Sequence, residues 1–102
     1  MTLQIDPNDK VAFYNKGITY RNLNEYEKAI ECYDLAVKLD PKYKEALNNK
    51  GFCLNELKLY KEAIICFDQA ILIDQNFKNS YKNKGTSYLK LNEYNKALQC
   101  FE

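Results

Sequence analysis

Residues 15–33 read NKGITYRNLNEYEKAIECY. The same pattern returns as NKGFCLNELKLYKEAIICF at residues 49–67 and as NKGTSYLKLNEYNKALQCF at residues 83–101. Successive copies are offset by 34 residues, which brings Gly17, Gly51 and Gly85 into one column. A fixed period of about 20 to 50 residues is the sequence signature of a solenoid, in which each repeat packs on the next. We therefore predict a solenoid of three repeats.

Inside each period, the apolar residues follow a helical spacing. Phe13, Gly17 and Tyr20 share one face of a first helix. Ala29 and Tyr33 share one face of a second helix. Because glycine has no side chain, its column lets the two helices approach closely, and a bulky residue there should push them apart. Each period is therefore predicted to form an antiparallel helix-turn-helix unit.

The helix ends set the predicted repeat boundaries. The second helix of repeat one should end at Asp40-Pro41, because proline disfavours a helical conformation in the residue before it. Gln75 stands one period after Pro41, so the second helix of repeat two is expected to run slightly further. The predicted boundaries are residues 10–43 for repeat one, 44–77 for repeat two and 78–102 for repeat three.

Both ends of the sequence fall inside a repeat. Residues 3–7, which read LQIDP, match residues 37–41 one period later, so residues 1–9 are interpreted as the tail of a preceding repeat. Repeat three stops within its second helix, without a visible capping element. We interpret the chain as a piece of a longer array, with Leu98 and Phe101 at an open apolar edge. Such an edge is expected to self-associate, giving a homo-oligomer through the uncapped terminal helices.

The composition excludes several classes of partner. The chain has 102 residues, of which 15 are basic and 14 acidic, and a net charge of +1 gives no strong attraction to nucleic acid or to an anionic membrane. No run approaches the roughly 18 apolar residues of a membrane-spanning helix. The N-terminus lacks the pattern of a secretory signal. We predict an intracellular, cytoplasmic protein that binds neither nucleic acid nor membranes.

No residue pattern predicts catalysis or metal binding. The sequence contains no histidine, no C-x-x-C pair and no glycine-rich phosphate loop, so we expect no enzyme activity, no metal site and no cofactor. Cys32, Cys66 and Cys100 repeat with the 34-residue period. Equivalent Cα atoms in stacked repeats should lie about 8–10 Å apart, beyond the roughly 7 Å that a disulfide tolerates. These cysteines are interpreted as small apolar helix residues.

The columns resemble the signature of the tetratricopeptide repeat family, which runs W-x-x-L-G-x-x-Y, then A-x-x-x-F, then P. Repeat one supplies Phe13-x-x-Lys16-Gly17-x-x-Tyr20, Ala29-x-x-x-Tyr33 and Pro41. The resemblance covers essentially the whole chain and implies an all-α, right-handed superhelical solenoid of antiparallel helix-turn-helix repeats. One departure is that Lys16, Lys50 and Lys84 replace the usual leucine before each glycine. They form either a basic stripe or a set of stems that cover apolar surface.

In this family, the first helices of successive repeats line a concave groove that receives an extended peptide or a partner helix. The resemblance therefore implies a protein–protein interaction scaffold with a polypeptide partner. Mapped onto this sequence, the groove residues are Tyr14, Asn15, Ile18, Asn48, Asn49, Phe52, Lys82, Asn83 and Thr86. The alternative is a structural spacer or self-assembling segment with no peptide ligand of its own.

The column Asn15, Asn49 and Asn83 is the sharpest candidate in that groove. An amide side chain both donates and accepts hydrogen bonds, so a row of amides can hold a peptide backbone without reading its side chains. Groove asparagines of the family act in this way. Two hypotheses stay open: these residues contact a ligand, or they are tolerated exposed residues in an asparagine-rich chain.

One family subtype clamps the C-terminal carboxylate of heat-shock chaperones. It uses a lysine and an asparagine, then a second asparagine, then two basic residues. Those positions fall on Tyr14, Ile18, Asn49, Asn79 and Asn83 of this sequence. Only Asn49 matches, and every cation is missing, so chaperone-tail binding in that mode is not expected.

Overall fold

The computed structural model describes residues 8–102, which form six α-helices and no strand. The helices are α1 Lys10–Asn22, α2 Tyr26–Leu39, α3 Lys44–Glu56, α4 Tyr60–Ile73, α5 Lys78–Lys90 and α6 Tyr94–Phe101. They pair as three hairpins, α1–α2, α3–α4 and α5–α6, and the hairpins stack through α2 on α3 and α4 on α5. The predicted all-α helical repeat fold is confirmed. The predicted tail at residues 1–9 lies almost wholly outside the described residues.

The glycine column is where the two helices of each hairpin meet. A Cβ atom built on Gly17 would lie 2.6 Å from Cε1 of Tyr33, and one on Gly85 would lie 2.6 Å from Cε1 of Phe101. A Cβ on Gly51 would overlap the ring of Phe67 in the same way. An aromatic ring of the second helix therefore lies directly on the backbone of the first, and the missing glycine side chain makes room for that ring.

Aspartates, and not proline, fix the ends of the second helices. The helix α4 ends one period after α2, so the prediction that Gln75 would lengthen it is wrong. Oδ1 of Asp40 accepts the backbone N–H of Lys42 at 3.1 Å, and Oδ1 of Asp74 accepts that of Asn76 at 3.0 Å. An aspartate that bonds the backbone two residues on forms a turn without help from proline. Repeat two therefore stops at the same position as repeat one.

Two contacts between repeats hold the solenoid together. We call the contact of α1 and α2 with α3 the first seam, and that of α3 and α4 with α5 the second seam. In the first seam, Ala46 and Cys53 are fully buried in one cluster with Tyr33. Burial raises the pKa of the Cys53 thiol to about 12, since the thiolate would have to leave water. The buried core of the first seam is therefore apolar.

The second seam carries serines where the first has Ala46 and Cys53. Ser80 and Ser87 are fully buried. Oγ of Ser80 donates to Oδ1 of Asn48 at 2.8 Å, and Oγ of Ser87 donates to Oδ1 of Asn55 at 2.7 Å. A buried hydroxyl without a partner would cost about 1–3 kcal/mol, so each asparagine makes its serine tolerable.

The lysine column is used inside the fold. Nζ of Lys50 lies 2.7 Å from Oδ1 of Asp34, and Nζ of Lys84 lies 2.6 Å from Oδ1 of Asp68. Each pair joins a first helix to the second helix of the preceding repeat. The ammonium groups of Lys50 and Lys84 are therefore engaged by carboxylates, which argues against a free basic stripe.

Candidate functional site

The first helices of the three repeats line a cleft of about 480 Å³ on one face of the solenoid. Its lining residues are Tyr14, Arg21, Glu45, Asn48, Asn49, Phe52, Phe77, Asn79, Lys82 and Asn83. All of them belong to α1, α3 or α5 except Phe77, which immediately precedes α5. One continuous surface thus crosses all three repeats.

Six of the nine predicted groove residues line this cleft: Tyr14, Asn48, Asn49, Phe52, Lys82 and Asn83. The other three lie elsewhere. Ile18 packs against the core of repeat one, and Asn15 is exposed outside the cleft. The hydroxyl of Thr86 donates to the backbone carbonyl of Lys82, 3.2 Å away. The mapping placed these three on the correct helices but not on the cleft wall.

Asn49 is the centre of a hydrogen-bond network between α1 and α3. Its Nδ2 donates to the Tyr14 hydroxyl and to the backbone carbonyl of Glu45, both at 2.9 Å. Its Oδ1 accepts from Nη1 of Arg21 at 2.5 Å. Burial, together with the charge of Glu45, raises the pKa of Tyr14, so its hydroxyl stays protonated as a partner. Both amide hydrogens of Asn49 are in use without a ligand.

Asn48 and Asn83 form the corresponding link between α3 and α5. Asn48 is only 8% exposed, and its Oδ1 accepts from Ser80 and also from Nδ2 of Asn83 at 3.2 Å. These amides therefore stabilise the stacking of repeats at the floor of the cleft. Neither open hypothesis from the sequence anticipated this role.

The accessible walls of the cleft are aromatic and charged. The guanidinium of Arg21 lies 5.5 Å from the centre of the Phe52 ring, a cation–π arrangement. Lys82 is exposed. Within the described range 8–102, neither Arg21 nor Lys82 has a carboxylate within 4.0 Å. Glu45 likewise has no lysine or arginine side-chain nitrogen within 4.0 Å in that range. The charges of Lys82 and Glu45 are available to a ligand, whereas Arg21 already donates a hydrogen bond to Asn49.

Phe77 was missed by the sequence analysis. The mapping considered only the first helices, whereas Phe77 lies in the turn before α5 and beneath Nζ of Lys44, 5.1 Å from its ring centre. A signal was present, because Tyr43 occupies the same position one period earlier and stacks on Tyr14 with ring centres 5.0 Å apart. Phe77 thus extends the cleft wall beyond the first helices.

Two other classes of site are absent from residues 8–102. No group of three or more histidine, cysteine, aspartate or glutamate side chains could hold a metal ion there. No helix within the same range is long and apolar enough to cross a membrane.

Comparison with known families identifies the repeat. The sequence pattern of the tetratricopeptide repeat matches residues 11–43, 45–77 and 79–102. The chain belongs to the tetratricopeptide repeat family. This family is a protein-interaction fold. No curated protein sequence matches the chain significantly.

Solved structures of tetratricopeptide repeat domains resemble the chain closely in fold. The second such domain of human RPAP3, solved in complex with the HSP70 peptide SGPTIEEVD, is 27% identical with a TM-score of 0.87, over 94% of this chain and 81% of that one. The TPR2B domain of yeast Sti1, solved as a complex with an Hsp70 peptide, is 26% identical with a TM-score of 0.87, over 89% and 73%. MamA, at 23% identity and a TM-score of 0.90, covers 94% of this chain and 56% of its own.

Proposed function

We propose that the chain is a protein-interaction scaffold whose concave cleft binds an extended peptide or a partner helix. The observation that carries this proposal is the continuous cleft across α1, α3 and α5, with aromatic walls and unpaired charges. A surface of this kind offers apolar area for affinity and charged groups for orientation. The peptide complexes of the human RPAP3 and yeast Sti1 domains, both above 25% identity, support the same use of the fold here.

The ligand contacts are expected on the walls of the cleft more than on its floor. The amides of Asn48 and Asn49 already bond neighbouring helices, so a ligand would have to displace those bonds to use them. The side chains of Phe52, Phe77 and Lys82 make no such hydrogen bonds to neighbouring helices. A ligand bound by these walls would be recognised through its side chains. A row of asparagines would instead recognise the backbone of the ligand.

The chaperone-tail mode remains outside the proposal. The positions that carry cations in that subtype are occupied here by Tyr14, Asn79 and Asn83, and the two cations of the cleft, Arg21 and Lys82, stand at other positions. A free C-terminal carboxylate would therefore not meet the clamp arrangement. A peptide ending in EEVD is the appropriate test ligand for this distinction.

The test is a selection of displayed random peptides against the 102-residue chain, followed by calorimetry of an enriched peptide. Phe52→Ala and Lys82→Glu should each weaken binding about tenfold or more, because truncating a central aromatic contact costs on the order of 1.4 kcal/mol or more. Ile65→Ala and Lys61→Glu are matched controls, since both residues are exposed on α4 and outside the cleft. Equal losses with the controls, or no enriched peptide, would contradict the proposal.

The state of the cysteines bears on the location of the protein. All four are free thiols, which suits the reducing conditions of the cytoplasm. We therefore propose an intracellular, cytoplasmic location for the protein. Fractionation of cells producing the protein would test it, and recovery in a secreted or membrane fraction would contradict it.

A further inference from the structure

The concave cleft carries charged side chains at the first seam that the second seam lacks. Arg21 and Glu45 line the cleft together with Phe52, and all three belong to α1 or α3. Their counterparts one period later are uncharged: Asn55, Asn79 and Thr86. The repeat therefore folds without charges at these positions, and the charges of the first seam need another explanation.

The charges of Arg21 and Glu45 are not used within the fold as those of other residues are. Other lysines pair with aspartates that are distant in sequence: Lys10–Asp40, Lys44–Asp74, Lys50–Asp34 and Lys84–Asp68. Arg21 and Glu45 line the same cleft with opposite charges, yet neither has an ion-pair partner within 4.0 Å among residues 8–102. Each charge is left for a group outside the described fold.

The guanidinium of Arg21 is held in place before any ligand binds. Its Nη1 donates to Oδ1 of Asn49 at 2.5 Å, its Nη2 lies 3.5 Å from Oδ1 of Asn22, and the group lies 5.5 Å from the centre of the Phe52 ring. A guanidinium has five N–H donors, so these contacts leave donors free and its charge uncompensated. A side chain that is ordered in advance loses little conformational entropy on binding. Arg21 is therefore preorganised for a carboxylate, the group that a guanidinium binds with two parallel hydrogen bonds.

Glu45 provides the opposite charge on the other side of the cleft. It is exposed in the first turn of α3, seven residues before Phe52. Seven residues are two helical turns, so the two side chains share a face of α3 and lie about 10 Å apart along its axis. Between them, Nδ2 of Asn49 donates to the Tyr14 hydroxyl and to the backbone carbonyl of Glu45. The cleft thus has a basic wall at Arg21, an acidic wall at Glu45 and a neutral floor.

We propose that the cleft binds an extended peptide that carries an acidic side chain for Arg21 and a basic side chain for Glu45. This inference rests on the proposed function and adds the chemistry of the ligand. Successive side chains of an extended chain point to opposite sides, so the acid and the base of the ligand lie one or three residues apart. A wholly acidic peptide would bring a like charge to Glu45, and a wholly basic one would bring a like charge to Arg21, so both are disfavoured.

The first test is the charge pattern of the peptides that the display selection enriches. They should share an acidic and a basic residue at an odd separation. In calorimetry at low salt, replacing either residue of the peptide by an uncharged one of similar size should weaken binding about tenfold. Enriched peptides without such a pair would overturn this inference and leave the scaffold proposal standing. The absence of any enriched peptide would overturn the scaffold proposal, and this inference with it.

The second test exchanges charges between the protein and an enriched peptide. Glu45→Lys should weaken binding about tenfold or more, and a peptide whose basic residue is changed to glutamate should recover the affinity. Arg21→Glu should weaken binding in the same way, with recovery by a peptide whose acidic residue is changed to lysine. A purely structural role of either residue would not give such recovery, so failure to recover would overturn the inference.

The design separates lost charge from lost structure. Arg21→Glu also removes the bond to Asn49, whereas Glu45 is exposed and has no ion pair in the described range, so Glu45→Lys decides the outcome if the Arg21 variant loses its helical circular dichroism. Glu27→Lys on α2 and Lys61→Glu on α4 are matched controls, because both residues are exposed and outside the cleft. Both controls should bind the peptide as the unaltered chain does, and a tenfold loss in either would contradict the assignment to the cleft.

Discussion

The first seam buries Ala46 and Cys53, whereas the second seam buries Ser80 and Ser87 at the same positions of the next repeat. The residues opposite them differ accordingly. Tyr14 and Arg21 stand on α1 in the first seam, and asparagines at the equivalent positions of α3 accept hydrogen bonds from the buried serines in the second seam. Two contacts with the same backbone geometry are thus stabilised by different chemistry.

This difference shows that the repeat defines positions but not side chains. A serine is acceptable at position 87 because Asn55 faces it, and a cysteine is acceptable at position 53 because its surroundings are apolar. Exchange of only one member of a pair removes a hydrogen bond from a buried polar group. The two seams should therefore respond in opposite ways to the same exchange, and four experiments can break or sharpen this comparison.

The largest effect is expected at Gly51, in the hairpin that borders both seams. Gly51→Leu should destabilise the chain by about 3 kcal/mol, because the ring of Phe67 against it is fully buried and cannot move aside. Gly85→Leu should cost only about 1 kcal/mol, since Phe101 is 47% exposed and can shift. Urea unfolding followed by circular dichroism measures both. Equal losses would show that burial of the opposing ring does not matter.

Cys53→Ser places in the first seam the serine that the second seam carries at the same position of the repeat. The new hydroxyl would face an apolar cluster without an asparagine opposite, and we expect a loss of about 2 kcal/mol. The reverse exchange, Ser87→Cys, should cost about 1 kcal/mol, because Asn55 loses a donor but is partly exposed to water. Urea unfolding of the two variants compares them directly. A stabilising Cys53→Ser would contradict our account of the seams.

A stabilising change is expected within the apolar seam itself. The hydroxyl of Tyr33 is buried without a hydrogen-bond partner, and burial also raises its pKa. Phe67 occupies the same position one period later. Tyr33→Phe should therefore stabilise by about 1 kcal/mol, and Phe67→Tyr should destabilise by a similar amount. Thermal unfolding measures both shifts, and a loss in Tyr33→Phe would indicate a partner for the hydroxyl.

The smallest effect is expected at the helix ends, where the two seams are alike. Hydrogen bonds from Lys10 and Lys44 hold the pKa of Asp40 and Asp74 below the ordinary value of 3.8. A carboxylate with a lowered pKa stabilises the fold above 3.8, and this contribution is lost as the pH falls through the lowered value. Asp40→Asn and Asp74→Asn should each flatten the acid limb of the stability profile.

The control for this titration is Glu27→Gln, at an exposed acid without an ion pair in the described range. Unequal changes in the acid limbs of Asp40→Asn and Asp74→Asn would show that the two seams also differ at their helix ends.

The period and its columns were sufficient to predict the helices, their pairing and the role of glycine. The helix end at Asp74 was not predicted, because a missing proline was given more weight than an aspartate that can bond the backbone. Of the predicted groove asparagines, Asn48, Asn49 and Asn83 line the cleft and Asn15 does not. Whether Asn49 faces a ligand or Tyr14 depends on a residue 35 positions away, which its own column cannot show. Asn48 and Ser80 lie 32 positions apart, and the sequence pattern was not interpreted as a hydrogen-bonded pair.

Within residues 8–102, each helix contacts helices of its own and of the adjacent repeat only. A chain with such short-range contacts pays little loop-closure entropy before its interactions form, so it can nucleate in one hairpin pair and add the next. Tyr14, Tyr33 and Tyr43 form an aromatic cluster in repeat one, and we therefore expect this repeat to form early. The directional bonds of Ser80 and Ser87 can form only after α5 has docked in alignment. Assembly would then run from the amino-terminal repeat towards the carboxy-terminal one, in the order of synthesis.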